Sequence, residues 1–238
     1  MHLPGTHSLV FLAYLLVLLP WLAFRSAGKL REVREASAGR PVRTLSRERV
    51  WIGTIVSLAL LLWLAWVVGS SFGYPFFAVP ALGIREWLAA AAALAVCFAL
   101  RTIARATRSE NERRKMAVYF IAPRTSREWV LASVTVVLAS VSEETAYRGV
   151  GLSILWFSLG NAWVAALICA VAFALGHWTQ GWKSGVVIFV LALTMHGLVA
   201  YTGTLVLAML VHAVYDFVAG YQIAVEARRF DRESATLA

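Results

Sequence analysis

The segment Ser142-Glu143-Glu144-Thr145-Ala146-Tyr147-Arg148 sets two adjacent carboxylates and a guanidinium inside an otherwise apolar run. Residues four apart on a helix share a face, whereas neighbours are turned by about 100°, so Glu144 is expected to pair with Arg148. Glu143 then points to a different side, without an intrahelical cation, and is free to face a cavity. A carboxylate in that position can take a proton from water, while its ionised neighbour serves another purpose. Two further apolar runs carry polar groups: Phe173-Ala174-Leu175-Gly176-His177, and His212-Ala213-Val214-Tyr215-Asp216, which puts His212 and Asp216 on one face. One water held between Glu143 and His177, with His212 and Asp216 donating hydrogen bonds to a developing oxyanion, is an outline for peptide hydrolysis.

The elements that must position these groups are membrane helices. Of 238 residues 60% are hydrophobic and 15% charged, and the mean hydropathy of +0.71 requires a lipid-facing surface. A helix needs about 20 apolar residues to cross a hydrocarbon core of roughly 30 Å. Seven runs qualify, roughly 8 to 24, 50 to 69, 84 to 101, 129 to 159, 161 to 178, 184 to 200 and 204 to 223. The expected fold is therefore all-α, a polytopic transmembrane helix bundle of about seven spans forming one domain over 1–238. The fourth run is too long for one perpendicular crossing and is expected to tilt or break at Gly149 and Gly151, and a re-entrant piece there would raise the count to eight. No basic residue precedes the first run, so it reads as a retained anchor and not a cleaved signal.

The net charge of +9 is distributed as blocks beside the spans, which argues for membrane topology and against a nucleic-acid partner. One block is Arg25, Lys29, Arg31, Arg34, Arg40, Arg43, Arg47 and Arg49; the other is Arg101, Arg105, Arg108, Arg113, Arg114, Lys115, Arg124 and Arg127. With both loops cytoplasmic, Lys183, Arg228, Arg229 and Arg232 also fall inside, and only Arg85 and Arg148 among the 22 basic residues depart from the rule. The N-terminus is then outside and the C-terminus cytoplasmic. Trp21, Trp51, Trp87, Trp129, Trp163, Trp178 and Trp182 fall near span ends, as interfacial anchors do. Cys97 and Cys169 sit in separate runs and read as small buried hydrophobes.

Most of the 13 acidic residues lie in loops, tails or span ends, Glu128 and Glu226 among them, which leaves Glu143, Glu144 and Asp216 deep with Arg148, His177, His196 and His212. A charge at the bilayer centre costs at least about 2.5 to 3.5 kcal/mol, so such a cluster is a functional hypothesis by default. His196 belongs to none of the three motifs and reads as a packing or interhelical hydrogen-bond residue. His2 and His7 read as solvated tail residues, and Tyr147 and Phe173 as core aromatics.

Taken together and in order, Glu143-Glu144-x-x-x-Arg148, Phe173-x-x-x-His177 and His212-x-x-x-Asp216 resemble the signature of the CAAX protease and bacteriocin-processing enzyme (CPBP, or abortive-infection) family of intramembrane proteases. The resemblance covers about residues 127 to 220. It implies a glutamate-dependent hydrolytic site in a helical membrane chamber. Glu143 would activate water, Glu144 and Arg148 support it, His177 assist, and His212 with Asp216 stabilise the oxyanion. The implied setting is the cytoplasmic membrane of a bacterium, with a membrane-associated protein or peptide as substrate. Asp216 departs from the Asn of the eukaryotic prenyl-protein proteases. Asn always donates a hydrogen bond and Asp only when protonated, but an ionised Asp216 could instead hold His212 as a donating imidazolium.

Rival chemistries differ in what they require. A site-2 type zinc protease needs His-Glu-x-x-His, absent here. A presenilin-like site needs two membrane aspartates, and Asp216 is alone. A rhomboid-like site could use Ser153 with His212, but would leave both glutamates idle. No cofactor is required, although zinc held by His177, His212 and Glu143 is chemically reasonable. Outside proteolysis, buried carboxylates and histidines also suit a proton-coupled transporter, or a catalytically silent scaffold. No inverted repeat of the transporter kind is visible.

Overall fold

The structure, a computed structural model, describes residues 5–36 and 46–236, and these form helices without a strand. Arg40, Arg43 and His2 lie outside the described residues. Among the described residues six helices are long and apolar enough to cross a membrane: α1 (Thr6–Gly28), α2 (Arg47–Ser71), α3 (Ile84–Ala106), α4 (Ser126–Leu159), α6 (Trp182–Thr202) and α7 (Leu205–Thr236). The seventh expected span is α5 (Ala162–Gly176), whose 15 residues rise about 22 Å, short of a full crossing. Side chains such as Val56, Trp63, Leu88 and Val137 point outward from the bundle. Only lipid could cover so apolar a surface.

Local sequence sets the helix ends. Thr125 and Glu128 cap α4 reciprocally: the Thr125 hydroxyl accepts from the Glu128 N–H at 3.2 Å and the Glu128 carboxylate accepts from the Thr125 N–H at 3.1 Å. Asn161 accepts from the N–H groups of Trp163 and Val164 to start α5. Gly160 makes the tight α4–α5 turn with φ 67°, a conformation that disfavours any side chain.

The fourth helix does not break at its glycines. It stays helical from Ser126 to Leu159, but Glu144–Gly151 widens into a π-helical stretch. A methyl at Gly151 would stand 2.7 Å from both the Ala146 carbonyl oxygen and Leu15 Cδ2. Leu15 belongs to a second π-helical turn, Tyr14–Leu18 in α1, so the two wide turns touch where Gly151 permits it. Such turns are frequent at functional sites because they re-aim the side chains on them.

At the centre, α4 packs on α2, α5 and α7, while α6 packs on α3 and α5. At the end that carries the basic blocks, the short helices Glu110–Arg114 and Ala117–Ile121 fold back on the extension of α7. Glu226, read from sequence as an end residue, is buried there. Its Oε1 lies 3.1 Å from both Arg105 Nη2 and Arg113 Nε, and its Oε2 accepts from Tyr119 at 2.6 Å. Glu128 is likewise buried, because its carboxylate turns inward to cap α4. At the opposite end His7 hydrogen-bonds Ser71 at 2.8 Å, so it ties α1 to α2 and is not a free tail residue.

Candidate active site

Three helices bring the polar groups to one depth. Glu143 and His177 are equally distant in sequence from the Gly160 turn, so the α4–α5 hairpin sets both roughly 25 Å below it. The α6–α7 turn is recessed: Thr204 is buried and its hydroxyl donates to the Ala78 carbonyl at 2.8 Å. Leu205 therefore starts level with Gly149, where an added methyl would lie 3.1 Å from Leu205 Cδ1. Seven residues deeper, about 10 Å on, His212 arrives beside the glutamates. Counting along full-length spans puts His177 toward the end of its span, away from the depth of Glu143; the short α5 and the recessed α7 remove that discrepancy.

Glu143, Glu144, Arg148, His177, His212 and Asp216 all line one cavity of ≈ 360 Å³, within the range of ligand pockets. Their exposure differs sharply. The side chain of Glu144 is 0% exposed and that of Arg148 2%, whereas Glu143 is 16% and His212 13% exposed. Arg148 Nη1 lies 3.4 Å from Glu144 Oε1, an ion pair without hydrogen-bond alignment, since Nη1 has no hydrogen-bond partner among the described residues. The guanidinium also stacks over Phe173, 4.4 Å from the ring centre. Phe173 in turn packs edge-on against Tyr147 at 5.0 Å. Both aromatics are core residues, yet Phe173 also forms cavity wall.

The imidazoles are held by groups that only accept. His212 Nδ1 lies 2.8 Å from Glu144 Oε1 and His177 Nδ1 lies 2.8 Å from the Phe173 carbonyl oxygen. A carboxylate or carbonyl cannot donate, so each Nδ1 carries the proton and each Nε2 is left for other work. His212 Nε2 stands 3.5 Å from Asp216 Oδ2 and 3.8 Å from Glu143 Oε2. A zinc site built from His177, His212 and Glu143 does not fit this arrangement: among the described residues no three His, Cys, Asp or Glu side chains converge as ligands of one ion.

His196 is buried and neither ring nitrogen has a hydrogen-bond partner among the described residues, so the interhelical bond open to it is not made. Ser153 is not among the residues lining the cavity. Several residues of the wall escaped the sequence reading. Trp51 opens α2 and reads as an interfacial anchor, yet it faces the cavity with Cys97, Arg101 and Tyr215. Their only signal was position: Trp51 and Arg101 border apolar runs at the end that carries the basic blocks.

Residues 125–218 match the family model described as Type II CAAX prenyl endopeptidase Rce1-like. No curated relative and no solved structure matches the chain. The matched stretch runs from the Thr125 cap to just past Asp216 and contains Glu143, Glu144, Arg148, His177, His212 and Asp216. This part of the chain is a CAAX protease-like domain, carried in a membrane-embedded helix bundle.

Proposed function

We propose that the protein is an intramembrane endopeptidase that hydrolyses peptide bonds of membrane-associated protein or peptide substrates through glutamate-activated water. The observation that carries this reading is the division between the two carboxylates. Glu144 is sealed and bound to Arg148 and His212, while Glu143 reaches the cavity.

In this mechanism Glu143 takes a proton from water as the water oxygen attacks the scissile carbonyl carbon. The carbonyl oxygen becomes an oxyanion, stabilised by donation from Nε2 of His212 as an imidazolium, the form that an ionised Asp216 beside it favours. When the C–N bond breaks, the proton held by Glu143 passes to the leaving amine. His177 orients the water through its free Nε2. Glu144 and Arg148 are positioning residues that act through His212. A general base of this kind contributes typically 10² to 10⁴-fold in rate, and oxyanion donors about as much again. Substrate enters past Arg101, Pro123 and Gln180, which line the cavity at the end assigned to the cytoplasm by the basic blocks. The setting is the cytoplasmic membrane of a bacterium, N-terminus outside and C-terminus inside.

Comparing membrane proteomes of cells carrying the wild-type chain and Glu143→Ala tests the reading. Protein fragments present only with the wild type are the expected result, and identical proteomes at equal expression would refute it.

A further inference from the structure

A smaller cavity of ≈ 100 Å³ adjoins the catalytic one, and Arg101, Arg105, Arg108 and Arg113 line it. Arg101, Gln180 and Tyr215 line both, so the two spaces share a wall. Acidic compensation among the four arginines is uneven. Arg105 and Arg113 share Glu226. Arg101 and Arg108 hold neutral acceptors: Arg101 donates to Gln222 Oε1 and the Ala219 carbonyl, each at 3.1 Å, and Arg108 to the Ala104 carbonyl and Ser184 Oγ, each at 2.9 Å. The acid whose field reaches Arg108, Glu112, is taken by Lys183 at 2.9 Å. Burial penalises the charge of Arg108 and lowers its pKa from the ordinary value. Two half-buried guanidiniums beside a catalytic cavity, without carboxylates of their own among the described residues, form an incomplete charge arrangement.

We propose that this pocket is the subsite for a carboxylate carried by the substrate peptide, bound by Arg101 and Arg108. The inference rests on the proteolytic reading of the adjoining site. Guanidinium forks match carboxylates in geometry and charge. The volume suits such a group, about three waters' worth, and not a phospholipid headgroup with its glycerol. The shared wall places a group bound there alongside a chain lying in the catalytic cavity. The carboxylate can come from an Asp or Glu side chain or from a free C-terminus, and both present the same chemistry to the arginines.

Binding measured without cleavage separates this inference from the reading beneath it. Full-length Glu143→Gln protein in detergent is titrated with fluorescein-labelled peptide pools, and anisotropy is read. The pools are matched in three forms: free acid, C-terminal amide, and amide with every Asp and Glu replaced by Asn and Gln. The expected result is a loss of about 10- to 100-fold in affinity from whichever step removes the bound carboxylate, as for charge-assisted hydrogen bonds. The step that causes the loss names the source. Adding Arg101→Gln or Arg108→Gln should abolish the difference; if either fails to fold, Arg→Lys at the same position should narrow it. Equal affinity for all three forms overturns the proposal. So does displacement of the acidic peptide by phosphatidylglycerol, present at the same detergent ratio, that is lost in Arg101→Gln, since the pocket would then be a lipid site. Failure of the proteolytic reading would show instead as identical membrane proteomes for wild type and Glu143→Ala at equal expression, whatever the binding result.

Discussion

His212 Nδ1 and Glu144 Oε1 lie 2.8 Å apart, joining α7 to α4 inside the membrane. The same carboxylate oxygen faces Arg148 at 3.4 Å, so one buried acid fixes both an imidazole and a guanidinium. This divides the adjacent glutamates into a structural partner and a group open to the cavity.

Removing Glu144 therefore has a cost that removing Glu143 does not. Glu144→Ala leaves Arg148 buried without its counter-ion, expected to destabilise the protein by about 3–5 kcal/mol. Thermal unfolding in detergent should show the loss. Adding Arg148→Met should recover much of the stability and none of the activity, because His212 remains unheld.

Asp216 stands 3.5 Å from His212 Nε2, close enough to share its proton or donate its own. Asp216→Asn supplies a permanent donor of the same shape and should keep at least about a tenth of wild-type kcat, whereas Asp216→Ala should lose about 10²-fold or more. Equal loss in both variants would show that the negative charge of Asp216, acting on His212, is what matters.

Gly151 is where α1 and α4 approach. Gly151→Ala brings a methyl against the Ala146 carbonyl oxygen as well as Leu15, and overpacking of this kind costs about 1–3 kcal/mol. Leu15→Ala should relieve the side-chain clash only, so the double variant should recover part of the melting temperature. Recovery in full would mean that the π-helical stretch adapts without strain.

Tyr119 lies outside the spans, and burial, followed by its hydrogen bond to Glu226, pushes its phenol up from 10.0 to about 12. Its raised value contributes stability that is complete below pH 10 and declines as pH climbs toward about 12, where the folded protein also releases the proton. Tyr119→Phe should lower stability at neutral pH by about 1–3 kcal/mol, through the bond lost to Glu226, and flatten this alkaline decline. An unchanged alkaline slope would count against the bond.

Much of this was legible in the sequence because lipid imposes simple rules. Unbroken apolar runs located the six long helices, and the expense of buried charge singled out Glu143, Glu144, Arg148 and Asp216. Helical spacing paired Glu144 with Arg148. It could not pair Glu144 with His212, since that contact depends on how deeply the α6–α7 turn sinks beneath the Ala78 loop. The π-helical stretch was visible only as two glycines, which suggested a break because glycine alone does not reveal whether a helix widens or ends. Glu226 and Glu128 looked peripheral because their partners, Tyr119 and Arg124 among them, come from segments with no periodic signal.

The central claim is that the carboxylate of Glu143 performs the chemistry. Its most direct test is the rate of peptide cleavage by purified Glu143→Gln beside wild type, with thermal unfolding measured on the same samples. Cleavage should fall by about 10² to 10⁴-fold while the melting temperature stays within a few degrees. Cleavage at the wild-type rate by the folded variant would contradict it.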